Sequence, residues 1–265
     1  MLEYKIHSNV ASNDHLILIH GMGGNSNIFY RQIKDYSKHF NVITLHLPGH
    51  GNSPSLESYT DGFSYTVVAQ EIVKTMDHLN IERAHFLGVS LGTVILHHLL
   101  KERPERVQSV ILAATITRFT FISKFLFQIG KMIKSITPHT WIYKLFAHII
   151  MPKPNHKKSR DIFIREAQKM RREDFIGWFK TFGKVKTSYD EVIKHAKDIP
   201  KLYISGREDH LFLNSVKEDI KKDKNAVMRI IEKCGHVCNI EGYQKFNDIT
   251  LDFFKTHSRK IEQIS

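Results

Sequence analysis

The sequence predicts an α/β fold with a mostly parallel central sheet covered by helices on both faces. Three observations carry this expectation. Wholly apolar runs such as Leu16-Ile17-Leu18-Ile19, Val42-Ile43-Thr44-Leu45 and Val110-Ile111-Leu112-Ala113 read as strands buried on both sides, as parallel strands are. Longer stretches, Tyr65 to Leu79 and Tyr243 to Phe254, read as helices, and strands alternating with helices imply parallel pairing. A chain of 265 residues is long enough to bury a large core in one domain and still carry an insertion.

The elements follow in order. Met1 to Ile6 is charged and strand-like, without the apolar centre of a signal peptide. No run approaches 18 apolar residues, so a spanning helix is not expected and cytoplasmic residence is the default. The strand His15 to Ile19 leads into a glycine-rich loop, His20-Gly21-Met22-Gly23-Gly24, and a further strand covers Asn41 to Leu45. Arg83 to Leu87 reads as a short buried strand, and Thr93 to Arg103 as a helix ending before Pro104. Later strands are expected at Val107 to Ala114, Ile199 to Ile204 and Ala226 to Ile231.

Between the strand Arg83 to Leu87 and the helix after it lies Gly88-Val89-Ser90-Leu91-Gly92, a G-x-S-x-G turn that lifts a serine hydroxyl clear of a sheet. A serine is a weak nucleophile unless a base takes its proton, and the base is usually a histidine oriented by a buried carboxylate. Asp209 stands in the turn after the strand ending at Ile204, and His236 follows the strand ending at Ile231. Glu208 is an adjacent rival for the acid. The other place for it, Thr115-Ile116-Thr117, has no carboxylate. Of the 17 histidines, His97 and His98 fall within the helix after the turn, and His7, His39 and His78 read as surface or satisfied groups. Backbone N–H groups aimed at a developing oxyanion are worth about 3 kcal/mol each. Leu91 and Met22 are the expected donors. The Gly21-x-Gly23 pair also resembles the start of a dinucleotide fingerprint, but Ser26 stands where a third glycine belongs, and His46 where the acid would be.

Four motifs in this order, His20 to Gly24, Pro48-Gly49-His50-Gly51-Asn52-Ser53, Gly88 to Gly92, and Gly235-His236 with Glu241 beyond, resemble those of the α/β-hydrolase superfamily. The resemblance covers nearly the whole chain and implies the triad Ser90, Asp209 and His236, with no cofactor and no metal. One departure is His46, at a strand end where many members carry aspartate, which should alter hydrogen bonding in that loop alone. The family also implies a mostly helical cap entering after the strand that ends near Ala114. On this reading residues 1–115 and 188–265 form the core and 116–187 the cap.

That insertion holds 16 Lys and Arg against 4 Asp and Glu, which accounts for the entire formal net charge of +12. Large apolar residues from Phe119 to Ile136 surround a polar strip at Lys124, Gln128, Lys131 and Ser135, whose spacing places it on one side of a helix. Trp141, Tyr143, Leu145 and Phe146 continue the apolar pattern, and a second basic helix should run from Lys157 to about Met170. The apolar positions either pack the cap on the core or line a pocket, with Phe119, Phe121 and Phe125 as candidates. The basic face is either solvated or touches an anionic membrane surface. Nucleic-acid binding is not expected, because no recognition motif accompanies the charge. Cys234 and Cys238 flank His236 without a fourth ligand for a metal, and read as small packing residues.

These observations point to a serine hydrolase of small-molecule carboxylic esters bearing an apolar acyl or alcohol group. Three alternatives stand beside it. A lyase resembling menaquinone-pathway members would carry an arginine four residues after the serine, where this chain has Val94. A thioesterase or aminopeptidase would use the same triad, and a small-ligand receptor would keep the pocket without turnover. Oligomeric state is not legible.

Overall fold

A computed structural model of the protein describes residues 1–9, 12–118, 128, 137–182 and 185–258. The described strands are β1 (Tyr4–His7), β2 (His15–Ile19), β3 (Asn41–Leu45), β4 (Ala84–Val89), β5 (Val107–Ala113), β6 (Lys201–Gly206) and β7 (Ala226–Ile231). They form one sheet in the order β1-β3-β2-β4-β5-β6-β7. Only β1 runs antiparallel to its neighbour, pairing Tyr4 with Leu45 and His7 with Val42. The α/β expectation therefore holds, and the order places β4 in the middle.

Burial explains the sequence patterns strand by strand. β4, β5 and β6 are buried at every position, so their side chains face helices on both sides and the apolar run is continuous. The edge strand β7 alternates between half-buried and exposed over most of its length. Within β2, Leu16 and Leu18 join one core cluster while Ile17 and Ile19 join the other. This is the two-residue period of a strand separating the two faces of the sheet.

Helices α1 (Tyr30–Tyr36), α2 (Tyr65–His78) and α3 (Leu91–Glu102) cover the sheet. α2 starts where the Ser64 side chain accepts from the Val67 N–H, a side-chain cap on its first turn. Between β5 and β6 lie α4 (His139–Ile150), α5 (Lys157–Ala167), α6 (Arg172–Thr181) and α7 (Val185–His195), and β6 and β7 are followed by α8 (Leu213–Asp219), α9 (Cys238–Glu241) and α10 (Tyr243–Thr256). α7 straddles residue 187 and packs against α3. The basic helix after Lys157 ends three residues before Met170. Phe119, Phe121 and Phe125, with most of the polar strip, lie outside the described residues.

The insertion is tied to the core by named side chains. Trp178 of α6 is fully buried and donates its indole N–H to the Pro48 carbonyl at 2.9 Å. Truncating a buried aromatic of this size costs about 3–5 kcal/mol. Beside it, Asp174 accepts from the Leu56 N–H at 2.8 Å. Of the four residues expected to continue the apolar pattern, Tyr143 is buried and Phe146 half-buried, but Trp141 and Leu145 are exposed. The helical period places those two on the outer face of α4.

Candidate active site

Ser90 sits between β4 and α3 with φ 54° and ψ −115°. A non-glycine residue held at positive φ costs roughly 1–3 kcal/mol and persists only where its surroundings enforce it. Here the two flanking glycines do so by close packing. A Cβ on Gly92 would lie 2.4 Å from the Ile19 carbonyl oxygen, and one on Gly88 would lie 2.7 Å from the Leu96 side chain. Neither position has room for a larger residue while α3 rises this steeply from the sheet. The helix therefore begins at Leu91, two residues earlier than the pattern predicts. As its first residue, Leu91 has an N–H with no carbonyl partner inside the helix.

The Ser90 hydroxyl lies 3.0 Å from His236 Nε2, and His236 Nδ1 lies 2.8 Å from Asp209 Oδ2. Asp209 and His236 are 1% and 2% exposed, whereas Ser90 is half-buried. The three side chains proposed from sequence thus form one hydrogen-bonded line at the carboxyl ends of β4, β6 and β7, where ligands of open α/β sheets bind. Buried Asp209 pairs with the imidazole, which selects the tautomer protonated on Nδ1 and leaves Nε2 free to accept the serine proton.

Glu208, the sequence rival, turns the other way. Its carboxylate takes bonds from Asn155 at 2.9 Å, Lys153 at 2.9 Å and His156 at 2.8 Å. The Asn155 amide and the Lys153 ammonium hold it down to about 2. Glu241 accepts from the Gly235 N–H at 2.5 Å and from the Ser159 hydroxyl. His156 is fully buried under the histidine loop, with Nε2 3.8 Å from Glu241. The start of α5 therefore clasps both loops that carry the acid and the base. Sequence reasoning missed this clasp, because its members lie 52 and 82 residues apart.

Met22, the other proposed oxyanion donor, lines the space in front of Ser90 together with His236. Its loop is held from three sides. Gly23 N–H donates to His50 Nε2 at 2.9 Å, and His50 Nδ1–H donates to the Pro48 carbonyl at 3.0 Å. His20 Nδ1–H donates to the Gly21 carbonyl at 2.7 Å while its Nε2 accepts from Leu47 N–H at 3.1 Å. Each ring donates through one nitrogen and accepts through the other, so both are neutral. Burial pushes His50 down to about 4 and His20 well below its ordinary value. From the insertion, the buried Tyr143 hydroxyl donates to the Met22 carbonyl. His46, the departure from the family pattern, bonds Glu3 at 2.6 Å and Ser26 at 3.0 Å. It thereby joins Glu3, just before β1, to Ser26, just after the glycine loop.

Two cavities open on Ser90. The smaller, about 20 Å³, lies against Gly21, Ile28 and Val237 and has room for about one water-sized group. The larger, about 110 Å³, is walled by Phe146, Phe163, Phe175, Phe179, Phe182 and Phe212. Among the described residues its lining carries no Lys or Arg. Cys234 and Cys238 are both buried with free thiols beside the histidine loop.

Residues 14–131 match the profile of the α/β hydrolase fold family, and the sheet topology agrees with it. The chain has the α/β-hydrolase fold. A hydrolase of (E)-2-((N-methylformamido)methylene)succinate from Acinetobacter baylyi is 36% identical over 93 residues, which are 35% of this chain and 34% of that protein. The chain thus spans about a third of that relative's length. A 2-hydroxy-6-oxononadienedioate/2-hydroxy-6-oxononatrienedioate hydrolase from Paraburkholderia phymatum is 25% identical over 95% of this chain and 91% of its own. Among solved structures, a carboxylesterase study of Nitrososphaera gargenis superposes with a TM-score of 0.80 at 21% identity, covering 97% and 94% of the two chains. At that identity the likeness is one of fold. No helix among the described residues of this protein is long and apolar enough to cross a membrane.

Proposed function

We propose that this protein is a serine esterase of the α/β-hydrolase superfamily that cleaves small carboxylic esters with an apolar acyl or alcohol group. The observation that carries the reading is the Ser90–His236–Asp209 line, with spacings of 3.0 and 2.8 Å, opening on an aromatic cavity. Ser90 Oγ attacks the ester carbonyl as its proton passes to His236 Nε2, and Asp209 stabilises the imidazolium. The N–H groups of Met22 and Leu91 hold the oxyanion. The imidazolium then protonates the departing alcohol. Water, deprotonated by the same histidine, attacks the acyl-serine and releases the acid and Ser90.

The relatives' names describe a succinate derivative and dienedioates or trienedioates, substrates with carboxylates that need cationic partners. The described cavity lining offers none, which favours a neutral ester. The Ser90→Ala variant tests the reading. It is expected to lose labelling by a fluorophosphonate probe and p-nitrophenyl ester turnover together, while the wild type prefers short to medium acyl chains over palmitoyl. Turnover retained by the variant would overturn the serine mechanism. Labelling of the wild type without turnover of any ester would favour the receptor reading.

A further inference from the structure

We propose that the outer face of α4 docks this protein onto an anionic lipid surface. Trp141, Lys144, Leu145 and His148 are all exposed and lie at i, i+3, i+4 and i+7, so they form one stripe along the helix. Trp141 is 68% exposed and Leu145 48%, and Trp141 is the most exposed large apolar side chain among the described residues. The opposite face is committed elsewhere. Ile142, Tyr143 and Ala147 are buried, and Tyr143, Phe146 and Ile150 line the cavity in front of Ser90.

Charge selects the occupant. α4 contains no acidic residue, and the insertion around it carries 16 basic against 4 acidic residues. Each lysine or arginine near an anionic membrane surface adds to the attraction. An indole and a leucine flanking the Lys144 ammonium match the composition of a helix lying in the headgroup boundary. Lys144 can extend its ammonium to phosphate while its stem stays on apolar surface. A protein partner of comparable affinity would need shape and hydrogen-bond complementarity, which a stripe of Trp141, Lys144, Leu145 and His148 supplies poorly. A lipid surface needs neither. The same helix then separates that surface from the aromatic cavity by its own thickness.

The test reads binding and needs no turnover, so its failure is distinct from failure of the esterase reading. The chain has two tryptophans, and Trp178 is fully buried, which makes Trp141 the reporter. Vesicles of phosphatidylcholine mixed with phosphatidylglycerol should shift the tryptophan emission to the blue and sediment the full chain. Vesicles of phosphatidylcholine alone should do neither. Trp141→Ser and Leu145→Ser should each weaken sedimentation with the anionic vesicles about tenfold, the weight of roughly one buried apolar side chain. Lys144→Glu should weaken it and steepen nothing in the neutral control. No sedimentation of the wild type, or sedimentation unchanged in the Trp141→Ser/Leu145→Ser double variant, would overturn the proposal. So would a concentration-dependent blue shift without lipid that accompanies dimerisation, since the stripe would then belong to a second copy of the chain.

Discussion

Strands β4, β6 and β7 and helices α4 to α6 meet in front of Ser90, but they fix their side chains by different means. On the sheet side, position comes from backbone. Parallel registers such as Gly88 with Leu112 and Gly206 with Ile231 set where each strand stops, and the turns beyond hold Ser90, Asp209 and His236. On the inserted side, position comes from single side chains reaching core carbonyls and carboxylates: Tyr143 to Met22, Trp178 to Pro48, and His156 to Glu208. A ladder shares its load over many bonds, whereas each of these ties is one bond. The contrast implies that the proposed chemistry is anchored in the cooperative part of the molecule, and that pocket shape is adjustable by point substitution.

The largest expected effect lies on the sheet side. Asp209→Asn should keep the fold and lower kcat by about 10⁴-fold, because the amide favours the wrong imidazole tautomer. Steady-state kinetics on a p-nitrophenyl ester measure this, and a loss below tenfold would remove Asp209 from the proposed relay.

Acid should also strike the sheet side. Burial pushes His50, His85 and His98 down to about 4 and His97 to about 3. All four lie before the insertion. Their folded values are depressed, so between roughly pH 6.5 and 4 the unfolded chain binds protons that the folded chain refuses. Stability is therefore complete above pH 6.5 and falls as the pH drops through that window, by up to tenfold in the unfolding equilibrium per pH unit for each imidazole. Denaturant titrations at pH 7, 6 and 5 read the slope. Among the described residues His97 has no hydrogen-bond partner on either ring nitrogen, so His97→Phe should remove one proton from that slope. A midpoint independent of pH would refute the assignment.

The smallest effect belongs to the inserted side. Tyr143→Phe deletes the hydroxyl that ties α4 to the Met22 carbonyl, a hydrogen bond worth roughly 1 kcal/mol. The expected result is about a tenfold fall in kcat through a loosened oxyanion loop, with a smaller change in KM and an unaltered pH profile. Equal kcat in both proteins would mean that the glycine loop is held by His20 and His50 alone, and the contrast between the two sides would sharpen.

How much was legible follows the same division. The elbow, the acid after β6 and the histidine after β7 can be found in sequence because each is local to a strand end. Glu208 and Asp209 were separable only by their place in the turn, and the structure sends their carboxylates to different partners. Trp141 and Leu145 share the residue types of the buried Tyr143 and half-buried Phe146, so composition could not tell which face of α4 points outward.

The sequence by itself determined the α/β class, the strand order of the chemistry-bearing residues and the confinement of net charge to one insertion. Each of these depends on periodicity or composition, which are properties of short stretches. The tertiary structure alone decided that Phe146, Phe163, Phe175, Phe179, Phe182 and Phe212 share one cavity, and that His156 joins the loops of Asp209 and His236. Those groupings are contacts between residues far apart in the chain. They exist only after helix packing has chosen which of several equivalent apolar faces to bury.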